Sequence, residues 1–203
     1  MRIIAGTARG IKLEAPDGEE TRPTLGRVKE NYFNAINFEI AGARVLDLFA
    51  GSGQLGLEAL SRGARECAFV DKRAECVDII RKNAQRAKLY GRCNILKSEY
   101  SEYLSGVKKR REFERFDMVF LDPPYKDNAR ILREAVKRLA GHEFMSEGGL
   151  IICEGEAAPE FDGETARRVS KTRAYRYGRV WITILNIGGQ ESGRKNMRDT
   201  GDV

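Results

Sequence analysis

The sequence predicts an α/β fold of the Rossmann-like kind: a mostly parallel sheet covered by helices on both faces and closed at one edge by an antiparallel hairpin. Three observations predict it. Short apolar segments alternate with amphipathic helical ones through the middle of the chain, the apolar segments recurring about every 25 residues. Near the carboxyl end the alternation stops, and Ala174–Tyr177 and Val180–Leu185 follow one another across Gly178 with no helix between them. Finally, Asp47, Asp71 and Asp122 each stand where an apolar segment ends, and ligands of open parallel sheets lie beyond the carboxyl ends of the strands.

In chain order, Arg2-Ile3-Ile4 and Gly10-Ile11-Lys12-Leu13 read as two short strands of a hairpin. The hairpin lies outside the alternating pattern, so its expected task is substrate contact, and removing residues 1–13 is expected to leave a cofactor pocket nearly intact. A turn-rich link, Ala15 to Pro23, precedes a helix that Thr24 can cap and that runs to about Ile40, with Val28, Tyr32, Ala35 and Ile36 along one face. Arg44–Leu48 is strand. Gly53–Ser61 is helix, stopped by Gly63 where a left-handed residue is wanted. Cys67–Val70 is strand, and Arg73–Leu89 is helix with Val77, Ile80, Ala84 and Ala87 inward. Cys93–Leu96 is strand, followed by a short helix around Glu99–Val107 and a basic loop, Lys108–Arg111, that reads as solvated. Met118–Leu121 is strand, Ala129–Leu139 helix and Leu150–Cys153 strand. Residues 1–40 thus form an extension of hairpin and helix, residues 41–186 the sheet domain, and residues 187–203 a Gly-rich polar tail expected to be disordered.

Composition narrows the function. Hydrophobic residues make up 41% of the 203 and charged residues 33%, the balance of a globular chain. No apolar run is long enough to span a bilayer and none resembles a signal sequence, so a cytoplasmic protein is expected. Cys67, Cys76, Cys93 and Cys153 show no C-x-x-C pairing and His142 is the only histidine, which argues against structural zinc and against Ser-His or Cys-His catalysis. No metal is expected. His142 follows a helix and reads as a surface or capping residue. The net charge of +6 is compatible with a polyanionic partner without requiring one.

The stretch Val45–Leu57 carries the first chemical signal: a buried strand, Asp47 at its end, the turn Gly51-Ser52-Gly53, then a helix. Glycines there let a nucleotide-like ligand approach the backbone. No Lys-Ser or Lys-Thr follows, so this is not a Walker loop. Asp47 before the glycines would repel a diphosphate but suits a cation, and the cationic nucleoside with an amino-acid tail is S-adenosylmethionine. Asp71, about 20 residues beyond the turn, is spaced to accept ribose hydroxyls. The second signal is Asp122-Pro123-Pro124-Tyr125. Two prolines fix a rigid turn that presents the Asp122 carboxylate and the Pro123 carbonyl side by side. With the Tyr125 ring to stack on, these acceptors suit a planar base bearing an exocyclic amine. Hydrogen bonds to both amine protons aim the nitrogen lone pair at a methyl donor, so positioning and electrostatics suffice.

Together these residues resemble class I S-adenosylmethionine-dependent methyltransferases acting on base amino groups. More narrowly, Met1–Gly6 with Arg9-Gly10, Thr21–Thr24 with Phe33-Asn34, Leu46–Ala64 and Asp122–Tyr125 resemble the bacterial family that methylates the N2 amine of one guanine in small-subunit (16S) ribosomal RNA. The resemblance runs from Met1 to about Leu185. It implies a seven-stranded sheet, an N-terminal hairpin that helps grip RNA, and ribosomal RNA or a small-subunit particle as partner of a monomeric enzyme. It implies cofactor contacts at Asp47, Phe49, Gly51, Gly53, Asp71 and Glu99, base contacts at Asp122, Pro123 and Tyr125, and RNA contacts at Arg9, Arg22 and Arg27. Leu25-Gly26 stands where that family shows a small polar pair, and Ser98-Glu99 where it shows an Asp near the adenine. Two alternatives stay open: a DNA adenine or cytosine amino-methyltransferase sharing the Asp-Pro-Pro-Tyr element, although no segment is left over to read DNA sequence, and a non-catalytic ribosome-assembly factor. The basic strip Arg167–Arg179 is undecided between RNA contact and solvated surface.

Overall fold

The computed structural model describes residues 1–16, 23–106, 115–124, 128–141 and 144–188, with the backbone alone at 23–25 and 27. Seven strands, β1 (Arg44–Asp47), β2 (Glu66–Asp71), β3 (Cys93–Lys97), β4 (Phe116–Leu121), β5 (Met145–Gly155), β6 (Val169–Tyr177) and β7 (Val180–Ile187), form one sheet in the order β3-β2-β1-β4-β5-β7-β6. The first five run parallel, and β7 pairs antiparallel with both β5 and β6. The order reverses between β1 and β4, which makes the crevice above those two strands the place for a ligand.

Around the sheet lie α1 (Pro23–Ala35), α2 (Asn37–Ile40), α3 (Gln54–Ser61), α4 (Ala74–Arg86), α5 (Tyr100–Gly106), α6 (Asn128–Leu139) and α7 (Gly163–Arg167). Strand alternation divides the core into two layers. Met118 and Phe120 of β4 pack with Phe33, Ile36, Leu57 and Ile80 on one face, while Val119 and Leu121 pack with Leu104, Leu132 and Val136 on the other. Among the described residues no helix is long and apolar enough to cross a membrane.

The structure departs from the sequence reading in its boundaries. The first helix starts at Pro23, where a missing N–H costs nothing, rather than after a Thr24 cap, and it breaks at Ile36 before α2. Strands β5 and β6 begin five residues earlier than expected, at Met145 and Val169, and α7 and a 3-10 turn at Tyr90–Arg92 are additions. Asp162 starts α7 by accepting a hydrogen bond from the Thr165 N–H at 2.8 Å. Of the expected tail, Ile187 is buried at the end of β7, and residues 189–203 lie outside the described part. The loop Lys108–Arg111 and His142 also lie outside it.

The N-terminal hairpin forms, with Arg2 bridged to Lys12 and bonds from Ile3 N to Ile11 O (3.0 Å), Gly10 N to Ile3 O (2.9 Å) and Leu13 N to Met1 O (3.2 Å). It is not a separable arm. Ile3, Ala8 and Leu13 enter the core. The hairpin lies along α3, where the N–H groups of Ile4 and Ala5 donate to the Glu58 carboxylate at 2.7 and 3.0 Å. Ala8 N donates to Ser61 Oγ at 2.9 Å. Removing residues 1–13 would therefore strip donors from a carboxylate that is 0% exposed.

Candidate active site

Three carboxylates converge at the carboxyl edge of the sheet because β1, β2 and β4 are neighbours in register. Asp47 pairs with Phe69 of β2 and with Phe120 of β4. Asp71 closes β2, and Asp122 follows the last residue of β4. The turn between β1 and α3 sits among them. Gly51 and Gly53 have φ of 52° and 77°, conformations that favour glycine, and Gly53 is the residue from which α3 starts. Three residues on, Gly56 has another reason to be glycine: a Cβ there would stand 2.3 Å from Phe69 Cε1. The missing side chain lets α3 lie directly on β2.

Asp47 is 1% exposed, and its Oδ2 accepts the Gly56 N–H at 3.0 Å. Burial pushes its pKa up to about 7; the Gly56 bond opposes that rise and the Asp71 charge adds to it. Asp71 is tied to the same turn, with Oδ2 accepting the Gly51 N–H at 2.9 Å and Oδ1 the Arg73 N–H at 2.8 Å. Each oxygen keeps a second lone pair for a ligand hydroxyl. Phe49 is half-buried and lies against Tyr100, ring centroids 5.2 Å apart. Glu99 follows β3, reached through a bond from Ser98 N to Asp71 O (3.1 Å), and its carboxylate accepts the Ser101 N–H at 2.8 Å, holding the start of α5. Residues 47, 49, 51, 53, 71 and 99 thus share one edge of the sheet.

Asp122 is exposed beside the buried Pro123. The Pro123 carbonyl accepts from Asn128 Nδ2 at 3.1 Å, and the same amide nitrogen donates to the Glu154 carbonyl at 3.3 Å. Asn128, at the start of α6, staples the proline turn to the end of β5; one lone pair of the Pro123 oxygen remains for a ligand. Tyr125 and Arg22 lie outside the described residues, and so does the side chain of Arg27. Arg9 is exposed at the hairpin tip, which bonds to Ser61 at the end of α3 remote from the glycine turn, so the structure does not bring it to the three carboxylates. Lys12 is exposed farther back on the hairpin, its carbonyl bonded by Arg86.

The basic strip divides. Gly155 pairs with Trp181, which sets the β6–β7 turn, with Arg176 and Arg179, at the carboxyl end of β5. Arg168 lies at the opposite end, bonded to the Ala140 carbonyl. Arg176 is held in place by a bond to Gly178 O (3.1 Å) and by the Trp181 ring 5.8 Å away.

Several residues behind the site were missed by sequence reasoning. Glu58 is fully buried and also meets Lys29 at 3.4 Å and Arg62 at 2.9 Å. Asn83 of α4 is fully buried and donates to the carbonyls of Ser52 (2.9 Å) and Glu14 (3.0 Å), fixing the glycine turn to the hairpin's end. The available signal was a polar residue on an otherwise apolar helix face. Among the described residues, no group of three or more His, Cys, Asp or Glu side chains is placed to hold a metal ion.

The family model described as "Conserved hypothetical protein 95" matches residues 1–186. A Bacillus subtilis protein named "Putative rRNA methyltransferase YlbH" is 36% identical over 93% of this chain and 100% of its own length. "Ribosomal RNA small subunit methyltransferase D" of Haemophilus influenzae is 37% identical over 77% of this chain and 79% of its own. Among solved structures, "Putative methyltransferase yhhF from Escherichia coli" superposes with a TM-score of 0.79 at 30% identity, covering 94% of this chain and 99% of that one.

Proposed function

The chain belongs to the Conserved hypothetical protein 95 family, and from that premise we propose that it is an S-adenosylmethionine-dependent methyltransferase that modifies the N2 amine of a guanine in small-subunit (16S) ribosomal RNA. The observation that carries the reading is the convergence of Asp47, Asp71 and Asp122 at neighbouring strand ends around a glycine turn, at the point where the strand order reverses. The names of the relatives support ribosomal RNA as the substrate.

The residues fit the cofactor chemically. Asp47 is a buried carboxylate beside which no described cation stands; burial favours its neutral form, and a cationic ligand beside it would favour the carboxylate. Asp71 has lone pairs for a ribose diol, and the positive φ of Gly51 and Gly53 makes the tight turn beside it. When bound, S-adenosylmethionine supplies an electrophilic methyl group. The chain's part is to hold the acceptor. Asp122 and the second lone pair of the Pro123 carbonyl accept hydrogen bonds from the two amine N–H groups, which pyramidalises the nitrogen and directs its lone pair. Asn128 fixes the Pro123 carbonyl so that this acceptor is oriented in advance. Asp122 is exposed, so it can take up the proton lost from nitrogen and pass it to water. We place the RNA backbone along the β6–β7 turn at Arg176 and Arg179, with Arg9, Arg22 and Arg27 as further contacts.

The experiment is transfer of labelled methyl to total RNA, small subunits and DNA, followed by nucleoside analysis. The reading expects N2-methylguanosine in small-subunit RNA. Label in DNA adenine or cytosine would replace it with the DNA reading, and RNA binding without any transfer with the assembly-factor reading.

A further inference from the structure

The Glu154 carboxylate and the Tyr32 hydroxyl take no part in the site described so far, although the Glu154 backbone is stapled to its proline turn. Leu121 of β4 pairs with Cys153 of β5 in parallel register, so Asp122, just past β4, lies next to Glu154 near the end of β5. Alternation sets both on one face: Met118 and Phe120 precede Asp122 at steps of two, Leu150 and Ile152 precede Glu154, and all four belong to the core layer beneath α1. Tyr32 of α1 covers that layer, stacked on Phe33 at 5.0 Å, and Phe33 meets Phe120 at 5.4 Å.

Among the described residues neither side chain has a hydrogen-bond partner. Tyr32 is 1% exposed, and its buried hydroxyl has no hydrogen-bond partner among the described residues. No described side chain pairs with or donates to the half-buried Glu154 carboxylate. Burial, then the charges of Glu154, Asp122, Asp47 and Glu58, hold the Tyr32 hydroxyl well above its usual range, so it remains a protonated donor. Burial likewise pushes Glu154 up to about 7. A buried donor and a half-buried acceptor, neither with a described partner and both charge-coupled to the strand ends that carry the amine-holding turn, suit a ligand that offers an acceptor and a donor in turn.

The Watson–Crick edge of guanine is such a ligand: O6 accepts, N1–H donates and the N2 amine donates, in that order along the edge. Adenine presents a bare N1 where guanine presents N1–H, which would set a lone pair against the carboxylate. Resting on the proposed function above, we infer that Glu154 and Tyr32 are the specificity-determining pair for guanine: Glu154 accepts the N1–H and Tyr32 donates to O6, while Asp122 holds the amine. Guanine selection then arises on β5 and α1, apart from the Asp-Pro-Pro turn.

The test compares Glu154→Gln and Tyr32→Phe with the wild type in single-turnover methylation of small-subunit RNA carrying either guanosine or 2-aminopurine at the methylated position. 2-Aminopurine keeps the amine but lacks both O6 and the N1–H. Glu154→Gln should lose about tenfold to a hundredfold on guanosine, with cofactor affinity unchanged and the 2-aminopurine rate equal to or above that of the wild type. Tyr32→Phe should likewise lose activity on guanosine and not on 2-aminopurine. Full activity of Glu154→Gln on guanosine, or a loss on both substrates in the same proportion, would overturn the assignment while leaving the methyltransferase reading intact. Should Glu154→Gln fail to bind cofactor, the Tyr32→Phe substrate ratio decides. A wild type that methylates no guanosine removes the proposed function and this inference together.

Discussion

The backbone N–H of Ile4 donates to the buried Glu58 carboxylate at 2.7 Å, across 54 positions of chain. With the Ala5 N–H, Lys29 and Arg62, it surrounds a fully buried charge at the middle of the helix that starts from the glycine turn. Breaking such a cluster on one side leaves a buried charge uncompensated, which typically costs about 3–5 kcal/mol. Glu58→Ala removes the charge but strands Lys29, and deletion of residues 1–13 strands Glu58. Both should lower the thermal midpoint by several degrees and weaken cofactor binding through the fold. Scanning calorimetry showing an unchanged midpoint for either variant would refute the clamp.

Asp47 makes stability depend on pH in a direction opposite to most carboxylates. Its folded pKa is raised from 3.8 to about 7, so the folded state binds the proton more tightly than the unfolded one. The contribution is most favourable below pH 3.8, falls as pH rises through the window to about 7, and is flat above it. Asp47→Asn keeps an acceptor for Gly56 without the charge. The variant's stability relative to wild type should rise through that window, by at most on the order of 4 kcal/mol at 1.36 kcal/mol per unit. Urea unfolding at pH 4, 5.5, 7 and 8 measures this. A difference independent of pH would mean that Asp47 is not held neutral by burial.

Asp71 has a different duty. Its oxygens already organise Gly51 and Arg73, and its remaining lone pairs are assigned to the ribose. Asp71→Ala should weaken S-adenosylmethionine binding by about 1.5–3 kcal/mol, tenfold or more. Isothermal calorimetry with unaltered affinity would remove Asp71 from the pocket.

The parallel strands were legible because burial on both faces makes them apolar runs, and the strand-end acids were legible because alternating topology brings such ends together. The start of β5 was hidden by Ser146-Glu147-Gly148-Gly149, whose composition is that of a turn although Met145 already pairs with Phe116. The break at Ile36 was hidden because an apolar residue there continues the helical pattern. Glu58 could not be read, since its partners Ile4, Ala5 and Lys29 are distant in sequence and two of them act through backbone. Glu154, followed by Gly155-Glu156, looks like solvated charge; only the β4–β5 register sets it beside Asp122.

The central claim is that Asp122 acts on the amine as the methyl is transferred rather than in holding RNA. Removing one preorganised acceptor from such a site typically costs about 2.7–4 kcal/mol of barrier. Single-turnover methylation by Asp122→Ala, measured alongside RNA and cofactor binding, should therefore show a rate lowered a hundredfold or more with both affinities within a few fold of wild type. A wild-type rate in Asp122→Ala would contradict the account.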